Sequence, residues 1–145
     1  MSSQPSTGTG ELSAAERAFY SRQLILPEMG YEAQLALKRA RVVVLGAGGL
    51  GAPALLYLAG AGVGQIVVVD DDVVDASNLH RQVIHTHARV GNSKAESAAE
   101  SLRSLNPFIE VVPVCERLTE VNVDELLSGA DPVSYTHLTL PTSDL

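Results

Sequence analysis

Six residues, Gly46-Ala47-Gly48-Gly49-Leu50-Gly51, match the pattern G-x-G-x-x-G. Glycines at this spacing let a backbone pass close to a phosphate, and a helix opening behind them adds the positive end of its dipole. Asp70 follows about 20 residues later, the separation at which a carboxylate meets a ribose hydroxyl in nucleotide-binding folds. These features alone indicate an adenine nucleotide and go no further. An NAD-dependent oxidoreductase, a non-catalytic nucleotide-binding module and a purely structural glycine turn are all compatible with them.

The cations shift the balance. Arg22-Gln23 stands ahead of the loop, Ser77-Asn78-Leu79-His80-Arg81-Gln82 lies just past Asp70, and Lys94 follows Gly91-Asn92-Ser93. Hydride transfer has little use for Arg22, Arg81 and Lys94 around a phosphate loop, whereas nucleotidyl transfer does, because charge develops on the departing pyrophosphate. Arginine offers phosphate a planar fork and lysine a compact point charge. Asn78 can donate to a phosphate or help hold a magnesium ion. The bland alternative for Arg22 is a solvated helix charge, and for Lys94 an exposed first-turn residue. A lysine in a first turn is mildly unfavourable against the helix dipole, which favours a ligand role.

Taken in order, Arg22-Gln23, Gly46 to Gly51, Asp70-x-Asp72, Ser77-Asn78-Leu79-x-Arg81-Gln82 and Val90-Gly91-x-x-Lys94 resemble the ubiquitin-activating-enzyme-like family typified by ThiF, MoeB and HesA. The resemblance covers roughly residues 15 to 131. It implies ATP-dependent adenylation of the C-terminal glycine of a ubiquitin-like sulfur-carrier protein ending in Gly-Gly, with release of pyrophosphate. That activity belongs to molybdopterin or thiamine biosynthesis. The implied nucleotide site comprises Gly46, Gly48, Gly49, Gly51, Asp70, Asp72, Ser77, Asn78, Leu79, His80, Arg81 and Lys94. In it Gly49 lines the nucleotide, Asp70 holds the ribose, and Asn78, Arg81 and Lys94 contact the phosphates. Arg22 is implied to reach the triphosphate of the neighbouring protomer in a homodimer. His80 stands where many relatives carry Gln. The attacking group is already a carboxylate, so no general base is needed, and catalysis is positioning plus charge neutralisation.

The family's remaining chemistry is expected further along: an Asp-x-Thr-Asp segment serving magnesium and nucleotide, and two C-x-x-C pairs for a structural zinc. Neither occurs here. Pro132 to Leu145 resembles translated adapter read-through and is expected to be non-native, and the fragment alone is expected to be inactive.

The elements that must position these residues alternate. Ser13 and Glu16 form a capping box for a short helix, and a second helix is expected from about Glu32 to Ala40. Arg41 to Leu45 and Gln65 to Val69 are apolar, Val-rich runs too short for helices and fit buried parallel strands. A helix from Leu50 to about Ala61 lies between them, with Pro53 in its first turn. A helical turn is expected near Ser77 to Gln82. Asn92 or Ser93 caps a helix to about Leu105, Phe108 to Cys115 forms a third strand, and Thr119 to Leu127 a further helix. This alternation is the first half of a Rossmann-like, doubly wound α/β fold with a mostly parallel sheet, preceded by N-terminal helices.

The 145 residues carry a net charge of −7, which argues against a nucleic-acid binder, and no apolar run is long enough to span a membrane. Residues 1–12 read as a disordered tail. A single cysteine, Cys115, excludes an internal disulfide, suits a cytoplasmic setting, and is expected to be buried by packing. His85-Thr86-His87 has the look of a metal pair without a third ligand, so no metal site is assigned.

Overall fold

The computed structural model describes residues 11–48, 51–79 and 84–128, with the Asn78 side chain excepted. Residues 132–145, expected to be non-native, lie outside these. Glu11 and Leu12, the last two residues of the stretch read as a tail, are among the described residues. Leu12 is buried, its N–H donates to the Tyr31 hydroxyl, and Lys38 Nζ donates to the Glu11 carbonyl.

Ser13 caps α1 (Ala14–Phe19) through the full capping box, its hydroxyl accepting from Glu16 N–H while the Glu16 carboxylate accepts from Ser13 N–H. A one-turn helix, α2 (Ser21–Leu24), follows, and α3 (Gly30–Arg39) starts two residues earlier than expected. The strands β1 (Arg41–Leu45) and β2 (Gln65–Val69) have the bounds read from their valine runs. Between them runs α4 (Gly51–Ala61), and α5 (Lys94–Leu105) opens on the Ser93 cap. The third strand, β3, is Glu110–Val114 rather than Phe108–Cys115. Asn106 is the reason: its side-chain oxygen accepts from Phe108 N–H and folds the chain into a turn before the strand begins. The last helix, α6, is Val123–Leu127 and not Thr119–Leu127, because the Asn122 side chain accepts from the N–H and hydroxyl of Thr119 and holds a turn there.

The three strands form one parallel sheet in the order β1-β2-β3. Pro113 sits in β3, which pairs on one side among the described residues, and an edge tolerates the missing N–H. Val42, Val44, Ile66 and Val68 face α4 and α5 through Leu55, Ala59, Ala98, Ala99 and Leu102. Val43, Val67 and Val69 face the other way onto Leu126 and Leu127 of α6. Each strand is thus apolar on both faces because each face is covered. Alanines on α4 and α5 bring those helices close to the sheet. The carboxyl ends of β1 and β2 then open side by side, the usual ligand edge of such a sheet.

Candidate functional site

β1 ends by turning sharply at Gly46, whose φ of +101° is open to glycine at little strain. Its N–H donates to the Val69 carbonyl at 2.7 Å, tying the loop to the end of β2. Gly51 begins α4 so close beneath this turn that a Cβ there would drive into the Gly46 carbonyl. Ala52 N–H donates to the Gly48 carbonyl at 2.8 Å, so the loop closes directly into the helix.

Asp70, the first residue after β2, is half-buried beside this loop. Its Oδ2 accepts from Ala47 N–H and its Oδ1 from Asp72 N–H, both at 2.8 Å. Each oxygen has a second lone pair, which leaves acceptor capacity for a hydroxyl. The loop's other handle is His85, which is 4% exposed. Its Nε2 lies 2.8 Å from the Ala47 carbonyl and its Nδ1 2.8 Å from the Ser97 hydroxyl. Burial holds its pKa below 6.5, helped by Lys94 and Arg89 and opposed by the Ala47 carbonyl and Asp70.

Lys94 is the first residue of α5, and its N–H donates to the Asp72 carbonyl at 2.9 Å. Its side chain is 10% exposed, and its ion pair is to Asp72, 3.9 Å away and 72% exposed. A cation is therefore held nearly buried, at a helix end whose dipole opposes it, against a loose and solvated partner. Asp70, Asp71 and Asp72 each offer a carboxylate oxygen, all within 4.8 Å of one another, in a donor set suited to a hard cation. The run of three consecutive acids is the sequence signal for this set, which the sequence reading left unassigned.

The loop glycines Gly46, Gly48 and Gly51 thus come together with Asp70, Asp72 and Lys94. Ser77 lies in a 3-10 turn, Ala76–Asn78, its N–H and hydroxyl donating to Asp75, whose carboxyl they hold below the usual carboxylate range. Leu79 follows half-buried. Gly49, His80 and Arg81 lie outside the described residues, as does the Asn78 side chain. Arg22 is exposed on α2. Its neighbour Gln23 reaches the Gly60 carbonyl, and Asn106 donates to both the Tyr20 hydroxyl and the Ala59 carbonyl. These contacts dock α2 at the far end of α4 from the glycine loop.

The histidine pair does not converge, since His85 is buried with both ring nitrogens engaged while His87 is exposed in a second 3-10 turn. Cys115 corrects an expectation of burial. It stands one residue past β3, exposed, with Sγ 3.0 Å from the Ser93 hydroxyl. Among the described residues no helix is long and apolar enough to cross a membrane.

Comparison with known proteins bears on this arrangement. A SAMP-activating enzyme E1 of Haloferax volcanii is 52% identical over 134 residues, covering 92% of this chain and 50% of that protein. A probable adenylyltransferase/sulfurtransferase MoeZ of Mycobacterium tuberculosis is 57% identical over 120 residues, covering 83% of this chain and 31% of its own. The chain spans half the length, or less, of these curated relatives. Among solved structures it is similar to the E. coli tRNA N6-threonylcarbamoyladenosine dehydratase TcdA in complex with ATP. The TM-score is 0.75 and the identity 34%, over 81% of this chain and 48% of that one. The ThiF family model matches residues 20–136, across the sheet, the glycine loop and Lys94, and the chain belongs to the ThiF family.

Proposed function

We propose that the protein adenylates the C-terminal glycine of a ubiquitin-like sulfur-carrier protein with ATP, within molybdopterin or thiamine biosynthesis and in the cytoplasm. The observation that carries this reading is Lys94, a nearly buried cation beside the glycine loop whose ion pair among the described residues is a loose, solvated one to Asp72. Such a cation stabilises an anion brought to it, and a triphosphate is the anion that the loop and Asp70 are shaped to receive. A nicotinamide site would not call for it.

The carrier's terminal carboxylate oxygen attacks the α-phosphorus of ATP. A phosphorus–oxygen bond forms to the carboxylate, the bond from that phosphorus to the β-bridging oxygen breaks, and pyrophosphate leaves. The loop orients the phosphates, Asp70 accepts from the ribose, Asn78 donates a hydrogen bond to a phosphate, and Lys94 and Arg81 neutralise charge as it passes to pyrophosphate. Magnesium would supply further neutralisation of the phosphates, and the Asp70-Asp71-Asp72 oxygens are of the type that holds it.

Arg22 fits a role across a homodimer. Its neighbour Gln23 docks on Gly60, near the C-terminal end of α4 and roughly 13 Å of helix from Gly51 at the loop. That gap exceeds what an extended arginine covers, so Arg22 would serve a loop other than its own.

The full-length protein is expected to exchange labelled pyrophosphate into ATP when, and only when, a carrier ending in Gly-Gly is present. No exchange with any such carrier overturns the reading. In the same assay Arg22→Ala and Lys94→Ala are each inactive. After subunit mixing, random pairing restores roughly a quarter of wild-type activity, since one site in each mixed dimer is whole. Activity that stays at the single-variant level, with exchange of subunits demonstrated, removes Arg22 from the partner's site.

A further inference from the structure

Ala47 is gripped at both of its backbone polar groups. Asp70 takes its N–H, and His85 meets its carbonyl at 2.8 Å. A carbonyl can only accept, so His85 Nε2 carries the proton. Burial in this core disfavours the charged ring, and in the neutral ring Nδ1 has no proton and accepts from the Ser97 hydroxyl 2.8 Å away. The Ala47 carbonyl thus selects the tautomer of the neutral ring, and the Ser97 hydroxyl completes it.

Ser97 belongs to α5 and stands one turn beyond Lys94, its N–H donating to the Ser93 carbonyl. Arg89 secures it from the other side, donating to the Ser97 carbonyl at 2.9 Å while its Nε pairs with Glu100 at 3.3 Å. A pure packing position beside Ile84 in this core would take an apolar ring. An imidazole so deeply buried is tolerated because both nitrogens are bonded, and that pair of bonds joins two separate parts of the site.

We propose that His85 is a positioning residue: its neutral imidazole bolts the Ala47 carbonyl of the glycine loop to Ser97 of α5, so that the loop and Lys94 meet the nucleotide's phosphates as one unit. At 4% exposure it does not touch the reacting atoms itself. The proposal rests on the ATP reading given above and assigns one residue within it.

The test uses full-length protein, with calorimetric ATP dissociation constants and melting temperatures taken together. His85→Phe keeps a buried ring and loses both hydrogen bonds. It is expected to raise the ATP dissociation constant roughly threefold to tenfold, the worth of one or two such bonds. His85→Gln, whose amide can still donate to the Ala47 carbonyl, recovers most of that loss, a rescue that mere filling of space does not produce. Ser97→Ala, which frees the ring on its other side, gives a smaller rise. Wild-type affinity in His85→Phe, or no recovery in His85→Gln, overturns the positioning role and leaves the ATP reading standing. Should His85→Phe fail to fold, an unchanged dissociation constant in Ser97→Ala overturns it instead. Absence of ATP binding by the wild type overturns the nucleotide reading and this assignment with it.

Discussion

Burial draws the His85 imidazole below its usual pKa of 6.5, with Lys94 and Arg89 adding to the effect and the Ala47 carbonyl and Asp70 acting against it. The unfolded chain, where the ring titrates near 6.5, therefore binds the proton more readily than the folded one. Stability from the neutral ring is fully present above that pH. It falls as pH drops through 6.5 and levels off only below the depressed folded value. Melting temperatures between about pH 7.5 and pH 5 are expected to drop in the wild type and to drop less in His85→Gln. Equal slopes in both would assign the acid sensitivity to other groups. This role was not legible in the sequence. The partners of His85 are a serine on a later helix and a backbone carbonyl, and a backbone carbonyl has no signature in residue type. Gly46, Gly51, Asp70 and Lys94 were legible because their spacing is itself the signal. Cys115 was misread because a valine-rich run says nothing of where its strand ends.

Elements with a chemical boundary marker were found to the residue or nearly so. β1 and β2 are runs of valine stopped by glycine or aspartate, α1 carries its capping box, and α5 starts at the serine that caps it. α2 escaped notice because four residues between Tyr20 and Ile25 are too few for periodicity. β3 and α6 began late because Asn106 and Asn122 form side-chain-to-backbone turns that compete with regular structure, and propensity alone does not register these. The β1–α4 junction is where local fit is tightest. Gly51→Ala places a methyl group against the Gly46 carbonyl and forces the loop and helix apart. We expect a loss of about 1–3 kcal/mol in urea denaturation, the scale of overpacking in a closed site. ATP binding is expected to fall with it, because the displaced backbone is the proposed phosphate cradle. Wild-type stability and affinity in this variant would show that the loop has room the structure does not give it.

At the scale of the molecule, helices cover both faces of the parallel sheet that the described residues form from three strands, and the N-terminal helices are latched to α4 and to the end of α5 by Tyr20, Gln34 and Asn106. Alternation of valine runs with helices made that architecture readable. The latch was not, since Tyr20 and Asn106 are 86 residues apart and their meeting depends on the finished fold. The order β1-β2-β3 has a further consequence, which belongs to time rather than shape. β2 pairs with a strand on each side, and Ile66, Val67 and Val68 are sealed between two apolar layers. Their amides can meet solvent deuterium only when the sheet comes apart as a whole, whereas the amides of β3 need only an edge to fray. Deuterium uptake followed by mass spectrometry is thus expected to be slowest in the peptide covering 65–69 and markedly faster in the one covering 110–114. Equal rates would mean that the sheet opens as a single unit. With the predicted order, β2 is the slowest clock among the described strands, and Asp70, the next residue along, is the candidate site residue anchored most directly to it.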